Sequence, residues 1–114
     1  MAKPGIELLQ GTLDVMILKT LSWKPMHGYG IAKWIQQVTD DVLQIDEGSL
    51  YPALYRMEKR EWVRAEWGIT ENNRRAKYYR LTAAGRRHFA AEASSWAVFA
   101  QALGKVLRST RQPA

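Results

Sequence analysis

The chain has 114 residues, a formal net charge of +6 and no cysteine. This length favours one domain with at most an appended element, and the lack of cysteine excludes a disulfide framework and a thiolate metal site. No apolar run reaches the roughly 20 residues that span a bilayer, and the N-terminal segment lacks the apolar stretch of a signal peptide. We therefore expect a cytoplasmic protein that has no membrane among its partners.

The charge is distributed unevenly between the two halves of the chain. Residues 1–54 hold four Lys/Arg and six Asp/Glu, a net charge of −2, whereas residues 55–114 hold thirteen and five, a net charge of +8. A basic half on a small domain favours a polyanionic partner, with nucleic acid ahead of a membrane surface. The composition alone is explained equally well by a solvated basic surface that keeps the protein soluble.

The first half of the chain predicts three helices. Apolar residues at helical spacing indicate a helix over residues 8–21, and a shorter helix over residues 29–39 follows the break at "SWKPMHG". Asp46 is a good N-cap for a third helix over residues 47–60, because its carboxylate can accept N–H groups of the first turn. Pro52 lies inside this helix, where the glycine four residues earlier reduces the cost of the proline.

The second half predicts a β-hairpin and a long helix. Two short strands, residues 62–67 and 74–82, are joined by a loop rich in Gly and Asn. Thr82 is a plausible N-cap for a helix over residues 83–108, whose apolar positions fall close to heptad spacing. A stripe on a helix that has left the core needs a partner surface, and we expect the same helix of a second copy. The predicted dimer-interface residues are Phe89, Trp96, Phe99, Leu103, Val106 and Leu107.

This element order is that of a winged helix-turn-helix. In such modules the third helix enters the major groove of DNA and the hairpin touches the neighbouring backbone. The predicted fold class is therefore α+β, mainly α. Residues 1–82 are expected to form the DNA-binding domain, and residues 83–114 a C-terminal dimerisation helix and tail.

The third predicted helix has side chains suited to this role. Leu50, Leu54 and Met57 share one face, which we expect in the core. On the opposite face hydroxyl groups can donate to phosphate oxygens, and a guanidinium can bond a guanine edge or contact phosphate. The alternative is an ordinary amphipathic helix with a solvated polar side. The residues of this outer face are Ser49, Tyr51, Tyr55, Arg56 and Lys59.

Three segments carry a resemblance to a known family. They are "PMHGYGI" (residues 25–31), "GSLYPALYRMEKREWV" (48–63) and "RRAKYYRLTAAG" (74–85). Together they resemble the PadR transcriptional regulators, and the resemblance spans about residues 8–107. The single C-terminal helix is similar to that of the smaller PadR subgroup.

The resemblance implies a homodimeric repressor that binds a palindromic operator in double-stranded DNA. Its C-terminal helices would build the dimer interface, and small aromatic or drug-like molecules are effectors of some members. The resemblance places the outer face of the third helix on DNA. It adds five residues to that DNA-binding set: Tyr29, Pro52, Arg74, Arg75 and Lys77.

The resemblance also implies a candidate effector site. In drug-sensing members a tryptophan on the last helix lines a cavity at the dimer centre. Trp96 lies at the matching distance from the YYRLT segment, and Val15 could face it, whereas Ala100 stands where those members tend to carry a polar or acidic residue. Trp96 has two interpretations: a residue of the dimer core, or a wall that stacks on a flat aromatic ligand.

Other functional classes have less support. The sequence contains no nucleophile–base pair, metal cluster or phosphate-cradling glycine loop, so we expect no catalytic residue, no metal and no cofactor. His27, in the turn before the second helix, is expected to bond the backbone. The remaining alternative is a protein-interaction module, a winged helix that uses the same basic face on an acidic protein and reads no bases.

Overall fold

A computed structural model describes residues 10–114. The predicted start of the first helix at residue 8 lies outside the described residues, and so does Leu9. The elements in chain order are α1 (Gln10–Leu21), β1 (Met26–His27), α2 (Gly28–Val38), α3 (Glu47–Lys59), β2 (Val63–Ile69), β3 (Arg75–Leu81) and α4 (Ala83–Arg108). This order confirms the predicted α+β, mainly α, winged-helix class.

The core lies between the first three helices and the inner face of a small sheet. Each helix contributes the apolar stripe that its spacing predicted, and α3 buries Leu50, Leu54 and Met57 completely. Val38, the last residue of α2, is more than half exposed because the helix ends there and the core does not reach it. The sheet contributes three residues to the core: Val63, Tyr79 and Leu81.

The sheet has three strands, one more than the sequence predicted. Strand β3 pairs antiparallel with β2 on one side and with β1 on the other, with Met26 opposite Tyr79 and His27 opposite Tyr78. We expected only a turn at β1. Two residues are too few to show a period, and this strand exists only because β3 offers it a hydrogen-bonding edge.

Side-chain caps start each of the last three helices. The His27 Nδ1 atom accepts the Gly30 N–H group at 3.0 Å at the start of α2, which confirms the expected backbone bond. The Asp46 carboxylate accepts the Ser49 N–H group at 2.8 Å and caps α3, as predicted. Helix α3 then continues through Pro52 without interruption.

The start of α4 is fastened to the body of the protein. The Thr82 hydroxyl accepts the Gly85 N–H group at 3.0 Å, which confirms the predicted cap, and it donates to the Glu61 carbonyl oxygen at 2.5 Å. The rings of Trp62 and His88 stack with their centroids 3.7 Å apart and an angle of 13° between their planes. These contacts join α4 to the segment between α3 and β2.

The second half of α4 extends away from the core. Phe89, near its start, packs against the core of its own chain. Further along the helix an apolar row is exposed, and the radius of gyration of 16.3 Å exceeds the ~13 Å expected for a compact chain of this length. The exposed large apolar residues of α4 are Val98, Phe99, Leu103, Val106 and Leu107.

Candidate nucleic-acid interface

The outer face of α3 is open to solvent and rich in hydroxyl groups. Tyr55 is 62% exposed, and the Lys59 ammonium group lies 5.4 Å from the centre of its ring. Ser49 and Pro52 are exposed on the same side, opposite the buried residues of the helix. The predicted outer face therefore presents two hydroxyl groups, one apolar ring and one cation together.

Tyr51 lies at one edge of this face and reaches the start of α2. A β-carbon at Gly28 would lie 2.6 Å from the Tyr51 hydroxyl group, so the ring occupies space that only glycine leaves open. The next residue, Tyr29, is 69% exposed. The contact brings the start of α2 beside α3, and both tyrosines line one groove.

This groove, which we call the basic groove, lies between the start of α2, Tyr51 and the tip of the hairpin. Its volume is about 780 Å³. Glu71 is the only acidic side chain among the described residues that line it, against the cations Lys24, Lys33, Arg74 and Arg75. Lys24 and Lys33 were not predicted, because their positions in the sequence carry no motif and only the fold brings them to the hairpin.

The hairpin β2–β3, which we call the wing, holds its tip in a defined turn. The Asn73 N–H group donates to the Thr70 carbonyl oxygen at 2.9 Å, and Asn73 has a φ of 61°, which asparagine tolerates better than most residues. The Arg75 guanidinium lies 4.5 Å from the centre of the Trp67 ring. Among the described residues Arg74 and Arg75 make no ion pair and remain exposed.

Lys77, the third predicted wing cation, has a different position. It lies opposite Trp67 in the sheet, and its ammonium group is 3.7 Å from the Glu58 carboxylate. It does not line the basic groove. Its charge is partly balanced within the protein, and the structure does not bring it together with Arg74 and Arg75.

Arg56 is also placed differently from the expected outward position. Its Nη2 atom donates to Asp14 Oδ1 of α1 at 3.0 Å, and the Arg56 side chain is 35% exposed. Burial raises the pKa of the Asp14 carboxyl above its usual value, while the nearby Arg56 guanidinium opposes that shift. Asp14 was not predicted, because a single acidic residue beside a buried stripe carries no signal in the sequence.

Comparison with known proteins decides which family this winged helix belongs to. A model of the transcriptional regulator PadR-like family matches residues 17–91, which is more than half of the chain. The chain belongs to the PadR-like family. Its members are transcriptional regulators rather than enzymes, and this PadR protein is a DNA-binding regulator of transcription.

Individual relatives agree with the family match. A protein of Lysinibacillus sphaericus described as "uncharacterized protein X" is 33% identical over 91 residues, which cover 80% of this chain and 84% of the relative. A transcriptional regulator from Clostridium thermocellum is 31% identical with a TM-score of 0.74, covering 84% of this chain and 93% of the other. A PadR family regulator from Clostridium difficile is 29% identical with a TM-score of 0.69, covering 83% and 97%.

The residues expected near an effector lie where this PadR protein packs α4 against α1. The Trp96 ring lies beside Gly11, where an added β-carbon would meet it at 3.9 Å, and Phe99 contacts Trp96 edge-on at 5.8 Å. Val15, one turn further along α1, is half-buried. Trp96 therefore packs within its own chain, against α1 and Phe99.

Two further findings concern the described residues of this PadR protein. Between residues 10 and 114 no three His, Cys, Asp or Glu side chains are grouped in a way that could hold a metal ion. In the same part of the chain, no helix combines the length and apolar character needed to cross a membrane.

Proposed function

We propose that this PadR protein is a dimeric repressor that reads a palindromic operator through α3 and the wing. The observation that carries the proposal is that Tyr51 of α3 lines the basic groove together with Tyr29 and the wing cations Arg74 and Arg75, next to the exposed hydroxyl groups of α3. A solvated polar helix would not require tyrosine rings to be exposed together beside a groove of cations.

The chemistry of this face divides into base reading and backbone contact. Ser49, Tyr55 and Lys59 extend from α3 where side chains reach base edges, and the apolar ring of Pro52 suits a thymine methyl group. The hydroxyls of Tyr29 and Tyr51 are placed to donate to phosphate oxygens. The cations proposed to contact phosphate are Lys24, Lys33, Arg74 and Arg75.

Two of the residues predicted to contact DNA are expected to contribute less to the affinity. Lys77 would have to leave Glu58, and Arg56 would have to leave Asp14, before either cation could contact DNA directly. A cation that must first leave an internal carboxylate loses that interaction when it binds DNA. Its net contribution to the affinity for DNA is therefore smaller. We therefore expect smaller losses of affinity from Lys77 than from Arg74 or Arg75.

The second copy is proposed to cover the exposed apolar row of α4. Phe99, Leu103 and Val106 follow one another at spacings of four and three residues, Leu107 lies four residues after Leu103, and all four are exposed. Pairing two such helices would hold the two copies of α3 about one helical turn of DNA apart, roughly 34 Å. In this proposal residues 1–82 bind DNA and residues 83–114 dimerise.

An effector and a cellular location complete the proposal. A small aromatic molecule stacking on Trp96, with Val15 nearby, would act at the contact between α1 and α4 and release the operator. Repression follows if the operator overlaps a promoter. Since its target is genomic DNA, we expect the protein in the cytoplasm.

The first experiment selects bound fragments from the parent genome and titrates the operator so identified by fluorescence anisotropy. Wild-type protein is expected to bind with a Kd on the order of 10⁻⁸ M or tighter, and Tyr55→Ala to weaken binding about tenfold or more, since a base contact is worth about 1–3 kcal/mol. The control Lys105→Ala removes an exposed cation of α4 and should leave the affinity unchanged. Equal binding of wild type to operator and scrambled duplex would favour the protein-interaction module instead.

A further inference from the structure

Asp14 is the only acidic residue of α1, and it lies within the protein. Its side chain is 14% exposed, and its Oδ1 atom is 3.0 Å from Nη2 of Arg56, a residue 42 positions later in the chain. A carboxylate is costly to bury unless a charged partner balances it. The pair therefore ties α1 to α3 at a defined point.

The other ionisable groups near Asp14 come from the C-terminal end of α3 and from α4. Burial raises the pKa of Asp14, and Arg56, His88 and Arg60 lower it in that order. His88 belongs to α4 and stacks on Trp62, while the Arg60 guanidinium lies 5.2 Å from the centre of the same Trp62 ring. Asp14 thus lies where α1, the end of α3 and the start of α4 meet.

Most other contacts of α3 with the body are apolar, and its second ion pair, between Glu58 and Lys77 of β3, is longer at 3.7 Å and more exposed. Leu50, Leu54 and Met57 are fully buried in an apolar core, and apolar attraction has little directionality. A hydrogen-bonded ion pair has directional geometry. Arg56 lies between Tyr55 on the outer face and Met57 on the inner face, so its partner restrains the rotation of α3 about its own axis.

We propose that Asp14 is a positioning residue for operator recognition, which holds Arg56 and thereby sets the direction in which α3 presents Tyr55 and Lys59 to the bases. This inference rests on the proposed operator binding. It also assigns Arg56 to the interior pair rather than to a phosphate or a guanine.

The two assignments of Arg56 predict opposite effects of Asp14→Asn. If Arg56 positions α3, the substitution loosens the helix and weakens operator binding about tenfold, a loss of roughly 1.4 kcal/mol, without weakening binding to scrambled duplex. If Arg56 contacts DNA directly, removing its internal partner frees a cation, and operator affinity stays the same or rises. The second outcome overturns the proposal.

The salt dependence separates the same alternatives through Arg56. A lost phosphate contact lowers the log–log salt slope by about 0.9. Arg56→Lys keeps the charge but loses the planar guanidinium geometry, so positioning predicts weaker operator binding. Arg56→Gln removes the charge: positioning predicts an unchanged slope, whereas a direct phosphate contact in both copies predicts a slope smaller by about 1.8. Unchanged affinity in Arg56→Lys would overturn the proposal even if Asp14→Asn failed to fold.

A double-mutant cycle and a matched control complete the test. Asp14→Asn combined with Arg56→Lys should bind the operator no more weakly than the weaker single variant, since both changes break one restraint. Glu66→Gln breaks the exposed Arg80–Glu66 pair of the wing, which spans 3.8 Å. It frees a cation without loosening α3, so operator affinity should stay the same or rise rather than fall. Additive losses in the double variant would contradict a shared restraint.

Failure of the positioning role of Asp14 and failure of the proposed repressor function give different experimental results. Wild-type protein that does not distinguish the selected operator from scrambled duplex would refute the repressor proposal itself. Wild-type protein that discriminates, with an Asp14→Asn variant that is folded by circular dichroism and binds equally well, would refute only the positioning role.

Discussion

Gly85 shows how one backbone contact determines where a helix can begin. A β-carbon at this position would overlap the carbonyl oxygen of Trp62, which is main chain and cannot rotate away. The same carbonyl accepts the Thr82 N–H group at 3.0 Å. The glycine of the "LTAAG" segment is therefore required by the close approach of two backbone segments.

We expect Gly85→Ala to lower the free energy of unfolding by about 2–4 kcal/mol, in the range of large single-residue effects. The reason is that either α4 or the Trp62 segment must move to admit a methyl group. Urea denaturation followed by circular dichroism measures the loss. Gly104→Ala is the matched control, because its added carbon meets only the flexible end of Arg108; there the intrinsic preference of alanine for a helix should stabilise the protein by about 0.5–1 kcal/mol. Equal stability of Gly85→Ala and wild type would contradict the close approach.

At the scale of elements, α4 combines two roles within 26 residues. Its first turns are held by Thr82, Gly85 and the Trp62–His88 stack. Its second half exposes large apolar side chains that no described residue covers. The heptad-like spacing is legible from the sequence, but only the structure separates Phe89, which packs on its own chain, from the exposed residues that follow.

Leu103→Glu is expected to convert the proposed dimer to monomer, because a charge would be buried at the centre of the α4 contact. Analytical ultracentrifugation at micromolar concentration measures the mass. Gln101→Glu adds the same charge to the same helix at an exposed position outside the apolar row, and it should remain dimeric. If Leu103→Glu sedimented with the mass of the wild-type dimer, the interface would have to lie elsewhere.

At the scale of the whole molecule, the fold collects charges that are far apart in sequence. Lys24 and Lys33 precede α3 in the sequence, whereas Arg74 and Arg75 follow it, and all four line the basic groove. The first half of the sequence is net acidic, so the composition of that half gave no reason to expect cations there to contribute to a polyanion site.

Operator binding should therefore depend steeply on salt. Five to eight phosphate contacts in a dimer give a log–log slope between about −4.5 and −7. Arg74→Ala, present in both copies, should reduce the slope by about 1.8, since each lost contact removes about 0.9, while Arg108→Ala at the far end of α4 should not change it. Anisotropy titrations across a range of KCl concentrations supply the slope, and a flat dependence would exclude the groove as a phosphate site.

The sequence by itself determined the element order, the helix caps and the buried stripes, because these depend on residues close together along the chain. Asp46 and Thr82 cap the helices that they were predicted to start, and the bounds of α4 match the prediction. The outer face of α3 could also be predicted, because helical periodicity alone separates it from the core face.

Only the tertiary structure decided which distant groups meet. Strand β1 depends on the edge of β3, the close approach at Gly28 depends on Tyr51, and the partner of Arg56 depends on the packing of α1 against α3. No local pattern encodes such contacts, because the interacting residues are separated by tens of positions and are brought together by burial of a shared core. For the same reason Arg56, which was predicted to contact DNA, lies in an ion pair with Asp14 within the protein.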